Sequence, residues 1–238
     1  MRLLLALSWA FLLAVAQAAG PVEIQILYDN TSTRPDLKAD WGFSALASVD
    51  GRRVLLDTGA NADIFLGNLK AMGVEPTSVE HLVISHEHAD HTAGVIPLLK
   101  LNPKITTHRP RLGQGPFQVM PRIHSTGTLP GPAAEQALVV VTPKGLLVLT
   151  GCSHPGVVEL VEAAEKLTGT NSVRLLVGGF HLLDRDANQI AGIIVRLQQL
   201  NVAEAVATHC SGDLAIKMFR KAFGPGPGAG VGRRIVLE

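Results

Sequence analysis

The first two-thirds of the chain places its apolar residues in short runs or alternations closed by Gly, Asp or Pro, which is the pattern of half-buried and buried strands. Such runs predict strands over residues 22–28, 43–49, 53–57, 81–85, 104–108, 137–142 and 146–150. Beyond residue 155 the rhythm changes. Helical spacing over 156–167, 187–200 and 213–223 alternates with apolar strands over 173–177 and 205–208, and a last strand is expected over 234–237. The Asp50-Gly51 pair joins two strands as a tight hairpin, which argues against an all-parallel sheet. Hairpins followed by strand–helix units predict an α/β (α+β) sandwich, with helices covering the outer faces of two packed sheets. The stretch 107–132, rich in Pro and Gly, predicts a long substrate-facing loop. The glycine-rich stretch 224–232 lacks the Gly-Lys-Ser/Thr ending of a phosphate loop, and Pro225 and Pro227 carry no amide donor, so it reads as a linker.

Residues 1–19 have a different character. Arg2 supplies one positive charge, an apolar core follows, and Ala16-Gln17-Ala18 supplies small residues at a cleavage position. The apolar core is short for a bilayer span, so a retained anchor is the weaker reading. The expectation is a signal peptide cut after Ala18 or Ala19 and a periplasmic or secreted domain over 20–238, with no membrane association after cleavage. Formal net charge is +1, from 21 basic and 20 acidic residues spread without long runs, which gives no electrostatic footprint for nucleic acid. A small molecule is the expected partner. The two cysteines, Cys152 and Cys210, allow a single disulfide in an oxidising compartment but make no framework. Each stands next to or near a histidine, which suggests other work.

The densest chemistry follows the strand expected over 81–85, in Ser85-His86-Glu87-His88-Ala89-Asp90-His91. In extended backbone, residues two apart share a side, so His86 and His88 present their imidazoles together. Where the chain turns, Asp90 and His91 swing toward a second position. Imidazoles and a carboxylate at this spacing hold divalent cations, two of which make hydroxide available from water at neutral pH. Zinc is the default ion, and manganese or iron suit the same donors.

With its strand-end His-x-His-x-Asp-His, the sequence resembles the metallo-β-lactamase superfamily, over most of the mature chain. That resemblance implies an αββα four-layer sandwich. Asp57, in Leu55-Leu56-Asp57-Thr58-Gly59, matches the superfamily's aspartate that orients ligands without binding metal. More narrowly, Trp41-Gly42-Phe43-Ser44, Thr150-Gly151-Cys152-Ser153-His154, Gly178-Gly179-Phe180-His181 and Thr208-His209-Cys210-Ser211-Gly212 resemble a subfamily of metal-dependent hydrolases related to dihydropterin-ribofuranosyl-aminobenzene phosphate synthase. The resemblance implies one metal on His86, His88 and His154, and a second on Asp90, His91 and His209. Cys152 replaces the usual bridging aspartate, and as a thiolate it is either a ligand or a buried small residue. Asp90 and His181 are the catalytic candidates, His181 as proton donor to a leaving group or else as a core histidine. His108 and His124 are expected on the substrate loop, His81 in a structural role, Asp29 and Asn30 at the rim, and Cys210 in packing. The activity implied is hydrolysis of an ester-like bond: phosphoester, ester, thioester or lactam. The alternatives are pterin-precursor synthase chemistry, which export disfavours, and a β-lactamase, whose cysteine-bearing members usually lack a histidine at the place of His91.

Overall fold

The computed structural model describes residues 20–237, so the expected leader lies outside the described residues. The elements are β1 (Val22–Tyr28), β2 (Ser44–Val49), β3 (Arg52–Leu56), α1 (Ala62–Ala71), β4 (His81–Val83), α2 (Ala89–Thr92), α3 (Val95–Leu101), β5 (Thr106–His108), β6 (Phe117–Met120), β7 (Ile123–Ser125), β8 (Leu138–Thr142), β9 (Gly145–Thr150), α4 (Val157–Thr168), β10 (Val173–Gly179), α5 (Ala187–Gln199), β11 (Ala205–Thr208), α6 (Asp213–Phe223) and β12 (Arg234–Leu237). They form two six-stranded sheets, ordered β12-β1-β2-β3-β4-β5 and β11-β10-β9-β8-β7-β6. No helix among the described residues is long and apolar enough to cross a membrane.

Side-chain alternation along the strands makes three apolar layers. Val22, Ile24 and Ile26 of β1, Val54 and Leu56 of β3, and Leu147 and Leu149 of β9 meet between the sheets. Their neighbours face outward: Leu55 packs against Phe65 and Leu69 of α1, while Leu146 and Val148 pack against Leu160 and Val161 of α4. The architecture is therefore the four-layer αββα sandwich. In the first sheet the antiparallel β12, β1, β2 and β3 give way to parallel β3, β4 and β5; in the second, β9, β10 and β11 are parallel. At the other end of the sandwich Val22 stands opposite Leu237, so the first and last strands begin and finish side by side.

Two departures from the sequence reading bear on function. Residues 107–132 are not one long loop, because the β6–β7 hairpin occupies their middle and extends the second sheet to its edge. Residues 224–232 do connect α6 to β12, but they also wall a surface cavity together with β11 and α6. The disulfide held open by the cysteine count is not formed: Cys152 and Cys210 are both buried free thiols.

Candidate metal centre

The C-terminal ends of the parallel strands converge on one end of the sandwich, the place where open α/β sheets present their loops. Asp57 follows β3, Ser85 to His91 follow β4, Cys152 to His154 follow β9, His181 follows β10 and His209 follows β11. Positive φ at Asp57 (58°), Ser153 (63°), His181 (51°) and His209 (51°) turns each chain sharply off its strand. Such backbone costs roughly 1–3 kcal/mol per residue and persists where surrounding contacts over-determine it. Gly151 permits the close approach of the two sheets: a Cβ there would lie 2.0 Å from the Ser85 hydroxyl oxygen.

Two groups of donors result. His86, His88 and His154 each offer one atom within 4.8 Å of the others, and so do Asp90, His91, Cys152 and His209. In the second group the His91 Nε2 atom is 3.2 Å from Cys152 Sγ, 3.3 Å from His209 Nε2 and 3.7 Å from Asp90 Oδ2, and His209 Nε2 is 3.3 Å from Asp90 Oδ2. Bonds of 2.0–2.3 Å around a tetrahedral ion imply donor separations of about 3.3–3.8 Å, so these separations fit one. Cys152 also groups with His154 and His181, which sets its sulfur between the two clusters.

The proton inventory points the same way. His91 Nδ1 donates to Asp57 Oδ2 at 2.7 Å, His154 Nδ1 to Glu135 Oε2 at 3.1 Å, and His209 Nδ1 to Asn30 Oδ1 at 3.1 Å. Ser85 Oγ donates to Asp57 at 2.6 Å and accepts from His86 Nδ1 at 2.9 Å. An imidazole whose Nδ1 proton is engaged in this way keeps its Nε2 lone pair for a cation. His86 Nε2 is in fact a buried nitrogen with no hydrogen-bond partner. The donor set and this orphaned nitrogen fit resident divalent metal.

Charge and burial set the titration of these groups. Burial, then repulsion from His91, His154 and His88, lowers His86 to about 3, leaving it neutral. Burial works against a charged His91, yet the Asp57, Asp90 and Glu135 carboxylates together outweigh it and the imidazole ends above its ordinary value. Burial would lift Asp90, but the His209 hydrogen bond and the His91 charge hold it well below the usual carboxylate range. The hydrogen bond with Cys210, burial, and the Glu135 and Asp90 carboxylates push the Cys152 thiol up when no cation balances them.

Asp57 belongs to neither donor group; its carboxylate accepts from the Ser85 amide and the His91 ring. The rings of His181 and His154 lie 4.3 Å apart, with His181 exposed at the mouth. Asn30 flanks His209, but Asp29 is fully buried beneath the rim and accepts from Thr208, a correction to its expected place. His108 pairs with His81 at 3.0 Å across β4 and β5, and neither these two nor His124, on β7, joins a donor group. Cys210 lies behind Cys152, 3.7 Å from its carbonyl oxygen.

Sequence reasoning missed Glu135 altogether. Its carboxylate is fully buried and accepts from the amides of Cys152 (2.9 Å), Ser153 (2.8 Å) and His154 (2.8 Å) as well as from the His154 ring. Burial opposes its charge, but the His154 hydrogen bond, His86 and these amides lower it to about 2. The indole of Trp41, named only within a motif, donates to Asp90 Oδ2 at 3.0 Å and packs its ring 4.8 Å from His209.

The metallo-beta-lactamase superfamily profile matches residues 42–163, a span holding β2 to β9, Asp57, the His86 to His91 turn and His154. The chain belongs to the metallo-β-lactamase superfamily. It is 28% identical, over 76% of its length and 84% of the relative's, to the 7,8-dihydropterin-6-methyl-4-(beta-D-ribofuranosyl)-aminobenzene-5'-phosphate synthase of Methanocaldococcus jannaschii. The solved structure of a metal-dependent hydrolase of the β-lactamase superfamily aligns with a TM-score of 0.72 at 25% identity, covering 91% of this chain and 98% of that one. A metallo-β-lactamase fold protein from Bacillus subtilis aligns at 0.59 with 16% identity, 91% of this chain and 98% of that one, a likeness of fold alone. The two donor groups thus occupy the strand ends of a fold whose family is named for metal-dependent chemistry.

Proposed function

We propose that this metallo-β-lactamase superfamily member is a metal-dependent hydrolase of an ester-like bond, phosphoester, ester, thioester or lactam, in a small molecule. The observation that carries the reading is the pair of donor groups meeting at Cys152, with the Nδ1 protons of His86, His91, His154 and His209 engaged away from the centre. Divalent metal in these groups, zinc by default, would lower the pKa of a water to about 7 and offset oxyanion charge. His86, His88 and His154 would hold one ion, and Asp90, His91, His209 and Cys152 the other. The chain's own residues do the rest. Asp57 and Glu135 keep the imidazoles in register, Trp41 fixes the Asp90 carboxylate, and His181 at the mouth is placed to give a proton to the leaving group. The test is metal analysis of purified protein, joined to a panel of phosphodiesters, esters, thioesters and lactams. Nearly two equivalents of metal with turnover on one class is expected, and His88→Ala should lose metal and turnover together. Unchanged metal content in that variant rejects the ligand assignment.

The 28% identity to the methanogen synthase, running through most of both chains, favours one competing reading, a synthase acting on a pterin precursor. Condensation by the loaded protein of a pterin precursor with a phosphoribosyl aromatic amine, alongside silence across the hydrolysis panel, decides for it. Export to the periplasm or beyond, if N-terminal sequencing finds a cut after Ala18 or Ala19, weighs on the side of hydrolysis.

A further inference from the structure

We propose that the cavity beside His209 is a subsite for the charged end of a small organic anion, held by Arg220 and Arg233; this rests on the reading of the metal centre as the reaction site. The cavity, about 740 Å³, lies between β11, the exposed face of α6 and the 224–232 connection, and it shares Asn30, Trp41 and His209 with the metal centre. That volume suits a small-molecule ligand. Several arginines on this protein pair with carboxylates, as Arg52 does with Glu80 and Arg196 with Glu162, though Arg53, Arg111 and Arg185 do not. Among the described residues Arg220 and Arg233 have no ion-pair partner, and the Arg233 Nε is a buried donor with nothing to bond.

The rest of the lining agrees with this role. Ile216, Leu183 and the half-exposed Trp41 add apolar surface to the cavity, so the ligand carries an apolar body beside its charged end. One carboxylate, Asp213 at the start of α6, also lines the cavity, so the two cations are not neutralised. Planar guanidiniums match phosphate and carboxylate oxygens alike, in bidentate fashion.

Calorimetric titration of the metal-loaded protein distinguishes these ligands, with three probes of like body: 3-phenylpropylphosphonate, 4-phenylbutyrate and neutral 4-phenylbutyramide. At least one anion is expected to bind, and the better of the two names the charged group. The paired substitution Arg220→Gln and Arg233→Gln should weaken that anion roughly ten- to a hundred-fold and leave the amide unmoved. Arg220→Gln alone, on the exposed side of α6, should give part of the loss without disturbing the fold. Two anions bound as tightly by the paired variant as by the parent, an amide weakened as much as the anions, or no binding of either anion overturns the subsite. If arginine-dependent binding appears while the hydrolysis panel stays silent, the reaction reading fails and the subsite stands. Turnover with arginine-indifferent binding has the opposite meaning: the hydrolase stands and the subsite fails.

Discussion

Glu135 concentrates more of the centre's order than any ligand does, because one fully buried carboxylate fixes three consecutive amides and the ring of His154. Glu135→Gln keeps the shape but turns an NH2 toward groups that themselves donate. The expected outcome is metal held roughly ten- to a hundred-fold more weakly, measured by chelator competition, with the fold intact. In metal-free protein the same carboxylate also governs acid stability. Its folded pKa is depressed to about 2 from 4.5, so its stabilisation, roughly 3 kcal/mol at most, is present above pH 4.5 and drains away as pH falls toward 2. Melting curves of the parent and Glu135→Gln should therefore converge over that interval; a gap unchanged between pH 5 and pH 2 contradicts it. Asp57 and the His86 to His91 turn were legible because their chemistry is written in local spacing. Glu135 was not, since a lone acid before an apolar strand acquires meaning only when the turn after β9 folds down onto it.

The elements show the same division between local and tertiary information. Strands β1 and β11 and helix α6 match their sequence boundaries, having clean alternation or periodicity. Helix α1 went unread because its apolar residues are broken by Gly67, and its start is marked only by Asn61, whose side chain accepts from the amides of Asp63 and Ile64. Asn61→Ala should cost about 1 kcal/mol in denaturant unfolding and leave metal content unchanged. The short β6 and β7 were hidden in a Pro- and Gly-rich stretch, and only their pairing with each other, and of β7 with β8, makes them strands. A sharper effect is expected where the two sheets touch. Gly151→Ala puts a methyl group into the Ser85 hydroxyl, so roughly 1–3 kcal/mol of stability should be lost, and metal binding with it, as the turn carrying Cys152 and His154 is displaced. Wild-type metal content in Gly151→Ala would show the turn to be more pliant than its contacts imply.

Over the whole molecule, the donors come from both sheets: His86, His88, Asp90 and His91 from the end of β4, and Cys152, His154 and His209 from the ends of β9 and β11. Metal held by these donors would therefore tie one half of the sandwich to the other. Adding zinc to chelator-stripped protein should raise the melting temperature in step with its concentration, by the equivalent of about 4 kcal/mol at a thousandfold excess over Kd. A melting temperature indifferent to metal would mean that the donors do not hold it across the sheets. Meanwhile the pairing of Val22 with Leu237 puts both ends of the described chain at the pole of the sandwich away from the metal donors. A carrier, a surface linker or a purification handle fused at either end would leave the mouth of the centre open, and a short peptide joining the two ends could yield circularly permuted versions cut elsewhere.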